Sequence, residues 1–174
     1  MFDPTAFDNM KVVIEGALYD LDISGEIVIT DRNDSINMAK MSRRFDMTFR
    51  LPEKKVKATI ELKSGLVNLA AELLPSIQSE EQAGCMLSLK FIAAKENELD
   101  IDYTAIKALL TDIWGPTRII NQSVLYDPLS IDPAHSLIIT IEFDRLIHED
   151  QIEDLVEMTE FIITTLKRLN EEIS

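Results

Sequence analysis

The residues best suited to chemistry are a histidine and the carboxylates around it in the last third of the chain. His148 follows Glu142 and Asp144 and precedes Glu149 and Asp150. An imidazole among carboxylates can bind a metal or act as a general base. The same residues are typical of a helix start, where acidic side chains complement the helix dipole, and metal sites usually need a further histidine or cysteine. A small metal-assisted hydrolase with a site at Glu142, Asp144 and His148 is therefore the alternative hypothesis.

Other patterns that could bind a ligand or react fail on inspection. The only cysteine, Cys85, lies among alternating apolar residues, which indicates a buried structural thiol rather than a nucleophile. Residues 31–35 resemble the start of a calcium loop, but Ile36 and Ser42 replace the required glycine and glutamate, so we expect an ordinary polar turn. The five glycines are dispersed, which excludes the known phosphate-binding loops. We expect neither a cofactor nor a bound metal.

Positive charge is concentrated in one segment of an acidic chain. The net charge is −14, yet eight of the 17 Lys and Arg residues lie between Lys40 and Lys63, with only three acids among them. That segment is net +5, because eight bases exceed three acids, and the remaining nine bases and 28 acids leave −19. The overall charge disfavours general binding to nucleic acid or anionic lipid. Such asymmetry can mark a local binding face.

Two amphipathic strands that flank a short turn form the clearest local pattern. Apolar and polar residues alternate over 45–51 and again over 56–62, and Pro52 begins the four-residue turn between them. Pairing Leu51 with Val56 brings every apolar side chain to one face, whereas a slip of one residue would not. The opposite face then carries the pairs Arg44 with Lys63, Asp46 with Glu61, Thr48 with Thr59 and Arg50 with Lys57.

The predicted binding site is the basic part of this opposite face and consists of Arg44, Arg50, Lys57 and Lys63. A cationic surface suits an acidic protein partner, or a short phosphorylated or nucleic-acid ligand. In the competing interpretation this face meets acids of the same chain or is simply solvated. Because like charges oppose each other in this register, we expect the diagonals Arg44 to Glu61 and Asp46 to Lys63 to compensate.

The first 30 residues admit two interpretations. Apolar residues alternate from Met10 and, after a change of phase at Gly16, alternate again to Ile23, which predicts a bulged strand. A turn at 24–26 would join this strand to a second one at Ile27 and Ile29. A helix over 4–18 competes, because some of the same apolar residues also fit a period of 3.6. We favour the strand from Met10 onward.

The remaining pattern predicts an α+β domain. Helices are expected over 66–74, from an N-cap at Asp102 to Gly115, and over 152–173, where the longest apolar stripe lies. Strands are expected over 85–93, 119–126 and 137–143, with loops at 76–82 and 127–135. Consecutive strands with late helices favour a mainly antiparallel sheet of six or seven strands, with two or three helices packed on one face. We expect a single domain over 1–174.

The expected function is that of a non-catalytic protein-protein interaction module, such as an adaptor, small chaperone or regulator. The start of the chain lacks a basic lead with an apolar run, and no segment reaches about 18 apolar residues, so a cytoplasmic protein without a membrane span is expected. Its composition and closing helix are loosely similar to those of dimeric secretion chaperones, without a shared motif. We expect a protein partner or self-association into a homo-oligomer, through a helix or an exposed strand edge.

Overall fold

The computed structural model describes residues 5–74, 80–95, 101–129 and 135–174. Six strands form one sheet in the order β1-β2-β3-β4-β6-β5, and every neighbouring pair is antiparallel. No helix in these ranges combines the length and apolar character that crossing a membrane requires. The elements are α1 (Ala6–Ser24), β1 (Val28–Asn37), β2 (Ser42–Arg50), β3 (Lys57–Ser64), α2 (Leu66–Leu73), β4 (Cys85–Lys95), α3 (Tyr103–Trp114), β5 (Ile119–Leu125), β6 (His135–Ile147) and α4 (Ile152–Glu172).

This architecture confirms the predicted α+β class. The sheet has six strands, as expected, but the described residues contain four α-helices, one more than the upper expected number. Short 3₁₀ turns at Glu80–Gln82 and Glu149–Gln151 precede β4 and α4. Of the two predicted loops, residues 76–79 and 130–134 lie outside the described residues.

The predicted β2–β3 hairpin is confirmed residue by residue. Phe49 faces Ala58, Met47 faces Ile60 and Phe45 faces Leu62, as the alternation requires. These six side chains are at most 1% exposed. The charged pairs Arg44 with Lys63 and Arg50 with Lys57 therefore share the opposite face of the sheet.

The strand predicted from Met10 onward, and the hairpin predicted at 24–26, are wrong. Thr5 caps α1 by accepting from the Asp8 N–H, and Gly25 ends the helix in the left-handed conformation at φ 81°. The buried stripe of α1 has helical spacing and consists of Phe7, Met10, Ile14 and Leu18. The strand interpretation failed because three apolar residues that support it point to solvent: Val12, Tyr19 and Ile23 are 63%, 41% and 84% exposed.

The polar turn predicted at 31–35 is also wrong, because these residues belong to β1. β1 is an edge strand in which Ile29 packs against the core, and the buried Ile27 lies just before it. Arg32 and Asp34 lie opposite the inward-facing β2 residues Met47 and Phe45. They meet charged side chains of α1 instead of the core, Arg32 pairing with Glu15 and Asp34 with Lys11.

Arg43 at the start of β2 joins the first turn of α1 to the sheet. Its guanidinium lies 2.7 Å from Asp8 Oδ1 and 3.6 Å from Asp34 Oδ1, and 4.5 Å from the centre of the Phe7 ring. Burial acts to raise the pKa of Asp8, but hydrogen bonds with Arg43 and Thr5 outweigh it, so the pKa is lowered. The pKa of Asp34 is lowered in the same way against burial, chiefly by Lys11 and also by Arg43.

The helices α1, α3 and α4 lie on the inner face of the sheet, where they enclose the core. The predicted closing helix is confirmed as α4, and its buried stripe includes Leu155, Ile162, Leu166 and Leu169. Val156, an apolar residue of the same helix, lies outside this stripe and is 44% exposed. The helices expected after β3 and after Asp102, and the three later strands, are also present at the expected places.

Candidate interaction surface

The second face of the sheet, termed the outer face, points away from the packed helices. Core side chains on the inner face are at most 9% exposed, whereas most outer-face side chains keep part of their exposure, with Asp46 at 5% as an exception. The pairing places outer-face residues in rows that cross the strands. Three of these rows run Arg50-Lys57-Ile92-Ile138-Ser123, Thr48-Thr59-Lys90-Thr140-Asn121 and Asp46-Glu61-Ser88-Glu142-Ile119.

One end of the predicted basic face is balanced by its own carboxylates. Arg44, Asp46, Glu61 and Lys63 form an ionic quartet of zero net charge, in which Arg44 Nε lies 2.6 Å from Glu61 Oε2. The predicted diagonal from Arg44 to Glu61 is therefore confirmed. Lys63 Nζ lies 2.9 Å from Glu61 Oε1 on its own strand rather than pairing with Asp46, which meets Arg44 at 3.2 Å.

The other end of the predicted face keeps its positive charge. Arg50 donates weakly to the carbonyls of Leu51 and Lys54, at 3.3 and 3.4 Å, and Lys57 is exposed. Within the described ranges, neither Arg50 nor Lys57 forms an ion pair. We term Arg50, Lys57 and Lys90 the basic corner. Of the four predicted site residues, the structure thus separates Arg44 and Lys63 in the quartet from Arg50 and Lys57 in the corner.

Lys90 was missed in the sequence because the site was sought only within the basic segment. It lies on the outer face of β4, opposite Thr59 of β3, and is part of the row next to Lys57. The alternation of Leu89 and Phe91 toward the core already required Lys90 to point outward. Only the adjacency of β3 and β4 shows that it joins the basic corner.

Ile92 and Ile138 form an apolar strip that adjoins the basic corner on the same face. Ile92 lies opposite Lys57 on one side and Ile138 on the other, and both isoleucines are partly exposed. At the far edge, Ile119 and Leu125 are 46% and 63% exposed. The outer face therefore passes from cationic to apolar within neighbouring strands, which lie about 4.8 Å apart.

His148, the centre of the alternative hydrolase site, is engaged in local structure. Its Nδ1 lies 2.9 Å from the Ala83 carbonyl oxygen, and its backbone N–H donates to Gln151 Oε1 at 3.1 Å. The bond to Ala83 holds the start of β4 against the end of β6, and the bond to Gln151 caps the 3₁₀ turn that precedes α4. Among the described residues, no group of three or more His, Cys, Asp or Glu side chains is arranged to hold a metal ion.

Cys85 occupies the core position that the alternation predicted. It is 0% exposed and begins β4, opposite Ile147 of β6. Burial, with a smaller effect of the Glu72 carboxylate, raises the pKa of the thiol to about 12. A nucleophilic thiolate is therefore disfavoured at this position.

Comparison with known proteins adds no assignment to this geometry. No protein-family model matches the chain. Searches of curated proteins and of solved structures also found no match.

Proposed function

We propose that the chain is a non-catalytic cytoplasmic protein-protein interaction module, an adaptor, small chaperone or regulator, that self-associates and binds a partner protein on the outer face of its sheet. The observation that carries this proposal is the contrast between the two faces of one sheet. The inner face is sealed by helices, while the outer face keeps a cationic corner and an apolar strip accessible. Folding stability does not require an apolar side chain as exposed as that of Leu125, which is 63% exposed at the edge of this face.

The chemistry of the outer face indicates the chemistry of the partner. Cationic Lys57 and apolar Ile92 are direct neighbours across β3 and β4, and Ile138 follows on β6. A segment that carries a carboxylate beside an apolar side chain would match both features when laid across these strands. We therefore propose an acidic partner segment with at least one large apolar residue.

Two further observations support a binding role over catalysis. The ring nitrogen Nδ1 of His148 is bonded to Ala83, and Cys85 is buried with a raised pKa. Two of the candidate reactive side chains, His148 and Cys85, thus serve local structure. On the outer face, the partly exposed Arg50 and the exposed Lys57 carry charge that is suited to docking.

We predict that the double change Arg50→Glu and Lys57→Glu lowers partner affinity by roughly tenfold or more, because it replaces attraction by repulsion at two positions. Affinity capture from the native cell extract with wild-type chain would first identify the partner, and titration with the purified partner would give the dissociation constant. Wild-type affinity should also fall as salt is added, since the exposed charges are screened.

The matched control is Lys40→Glu with Lys107→Glu, which changes the net charge equally at exposed positions outside the outer face. This control should bind the partner nearly as wild type does. If both double variants lose affinity to the same extent, overall charge and not the basic corner is responsible. Full retention of affinity by Arg50→Glu with Lys57→Glu would contradict the proposed function as stated.

A further inference from the structure

Among the described residues, no further strand covers the β5 edge of the sheet, and this edge lacks the protection that the β1 edge has. β5 ends the strand order and, in the described part of the chain, pairs only with β6. β1 at the other edge carries Asp31, Arg32 and Asp34 and an irregularity between Ile29 and Asp31. Charged residues and bulges of this kind prevent strands from pairing edge to edge. β5 has neither, because its sequence IINQSVL contains no charge and no proline and its register with β6 is regular.

The order of apolar and polar residues along β5 is the same from either end of the strand. Two apolar residues, three polar residues and two apolar residues follow one another from Ile119 to Leu125. If a second copy of the strand is laid antiparallel about Gln122, every position meets a residue of its own kind. The pairs are Ile119 with the partner subunit's Leu125, Ile120 with the partner subunit's Val124, Asn121 with the partner subunit's Ser123 and Gln122 with the partner subunit's Gln122.

No neighbouring register achieves this match. A two-fold axis perpendicular to the sheet keeps the inner and outer faces of the two copies aligned only when the axis passes through a residue of β5. The registers next to the one at Gln122 are therefore centred on Asn121 and on Ser123. Centred on Asn121, the apolar Ile119 and Ile120 would face the polar Ser123 and Gln122 of the partner. Centred on Ser123, Leu125 and Val124 would face Asn121 and Gln122.

The proposed centre also carries a polar atom without a partner. Gln122 Nε2 donates to the Tyr103 carbonyl of α3 at 2.9 Å. Its Oε1 is buried and accepts no hydrogen bond from the described residues. Opposed residues of an antiparallel pair have Cβ atoms about 4.5–5.5 Å apart, so two glutamines on the axis are within reach of each other. The amide N–H groups of the partner subunit's Gln122 would supply the missing donor.

The charges that flank β5 agree with this arrangement. Arg118 precedes the strand and Asp127 follows it two residues after Leu125, and none lies between them. Antiparallel pairing brings Arg118 of each copy to the same end as the partner subunit's Asp127. The two contacts are complementary in sign, which favours this orientation over a parallel one.

We propose that the chain forms a homodimer in which β5 pairs antiparallel with β5 of a second copy about a two-fold axis at Gln122. This inference rests on the self-association in the proposed function and names the surface and register that produce it. The two sheets become one continuous sheet of twelve strands, and the outer faces of both copies lie on the same side. Ile119 and Leu125 become covered by each other across the interface.

Charged substitutions at Asn121 and Ser123 test the register, since both residues are exposed and lie on the outer face. Asn121→Lys with Ser123→Lys places like charges opposite each other twice, and we expect dimerisation to weaken by roughly tenfold or more. Asn121→Glu with Ser123→Glu should behave the same way. A mixture of the two variants should form a heterodimer, because every lysine then faces a glutamate.

A third variant, Asn121→Lys with Ser123→Glu, should stay a homodimer because each lysine faces the partner subunit's glutamate. In the registers centred on Asn121 or on Ser123, this variant would instead oppose two like charges on the axis. The control Asn33→Lys with Ser35→Lys, placed on the β1 edge, should leave dimerisation unchanged. Sedimentation velocity over a concentration series measures each association constant, and circular dichroism checks that each variant is folded.

The outcomes separate this proposal from the function on which it rests. If wild type dimerises and the two like-charge variants dimerise equally well, another surface forms the dimer, and the β5 proposal is overturned while self-association stands. A wild-type chain that stays monomeric at high micromolar concentration overturns both the β5 proposal and the self-association. Weakened like-charge variants together with a retained Lys-Glu homodimer support the proposed register.

Discussion

Replacing Arg43 with alanine is expected to lower the free energy of unfolding by about 1.5–3 kcal/mol. The guanidinium, 28% exposed, joins Asp8 of α1 at 2.7 Å and Asp34 of β1 at 3.6 Å and covers the Phe7 ring. Its removal leaves two carboxylates near each other without their shared cation, at the place where α1 meets the sheet. Chemical denaturation at neutral pH measures the loss.

The neighbouring change Arg44→Ala is the matched control. Arg44 lies on the opposite face of β2, and its side chain is 46% exposed. Without Arg44, Glu61 keeps its pair with Lys63 and Asp46 keeps the hydrogen bond from Asn33 Nδ2, so we expect a loss below about 1 kcal/mol. Equal losses for Arg43→Ala and Arg44→Ala would contradict the role assigned to Arg43 in holding α1.

The effect of Arg43→Ala should also depend on pH, in a direction that the two aspartates fix. The pKa of Asp8 and of Asp34 is lowered from the usual 3.8 in the folded protein, so the folded state holds fewer protons than the unfolded chain there. Their contribution to stability is fully present at pH values above the unfolded-state pKa of 3.8, and it is lost as the pH falls through their lowered pKa values in the folded state. The difference between wild type and Arg43→Ala should therefore shrink from about pH 6 to about pH 2.5. A difference that stays constant over this range would argue against the ion pairs as its cause.

Replacing Gly84 with alanine is expected to cost about 2–3 kcal/mol of unfolding free energy. A Cβ at this position would lie 2.6 Å from the Ile147 carbonyl oxygen and 3.2 Å from His148 Nδ1. The closest atom belongs to the backbone of β6, so β4 and β6 must separate locally. The adjacent bond between His148 and the Ala83 carbonyl should weaken as well.

Gly16→Ala is the control for this change and gives the opposite sign. A Cβ at Gly16 meets nothing within 4 Å, and the residue is exposed in the middle of α1. Alanine is favoured over glycine inside a helix, so stability should rise by about 0.5–1 kcal/mol. Destabilisation by Gly16→Ala would instead favour the bulged strand that sequence analysis predicted there. Thermal unfolding of both variants decides the two signs.

The hairpin could be predicted in full because two independent alternations constrain one register. Apolar residues on both strands reach the same face only when Leu51 is placed opposite Val56. No such second pattern constrains α1, where Met10 and Ile14 satisfy both a strand and a helix. The exposure of Val12 and Ile23 decided between them, and this depends on where the helix packs against the sheet.

The start of β1 was predicted, at Ile27 and Ile29, but its continuation over 31–37 was missed because the side chains that pair with Arg32 and Asp34 belong to α1. Strand prediction relies on apolar alternation, but the inward-facing Arg32 and Asp34 are matched by Glu15 and Lys11 of α1, which lie 17 and 23 residues away. A local pattern contains no trace of such pairs. These ion pairs stabilise an edge strand whose composition alone is typical of a turn.

The candidate surface was predictable in one half only. The hairpin register placed all four predicted basic residues on one face and indicated the pairing of Arg44 with Glu61. The extension to Lys90, Ile92 and Ile138 required the strand order β3-β4-β6, in which sequence neighbours are not always sheet neighbours. The apolar strip beside the basic corner therefore became visible only in the assembled sheet.

Lysine labelling of the chain bound to its purified partner tests most directly whether the outer face is the binding face. Lys57 and Lys90 lie on that face, and Lys40 and Lys107 are exposed outside it and serve as internal references. Mass spectrometry after brief acetylation measures the rate at each amine, free and bound. Binding on the outer face predicts that Lys57 and Lys90 react more slowly in the complex while Lys40 and Lys107 keep their rates. Unchanged rates at Lys57 and Lys90, with protection elsewhere on the chain, would contradict it.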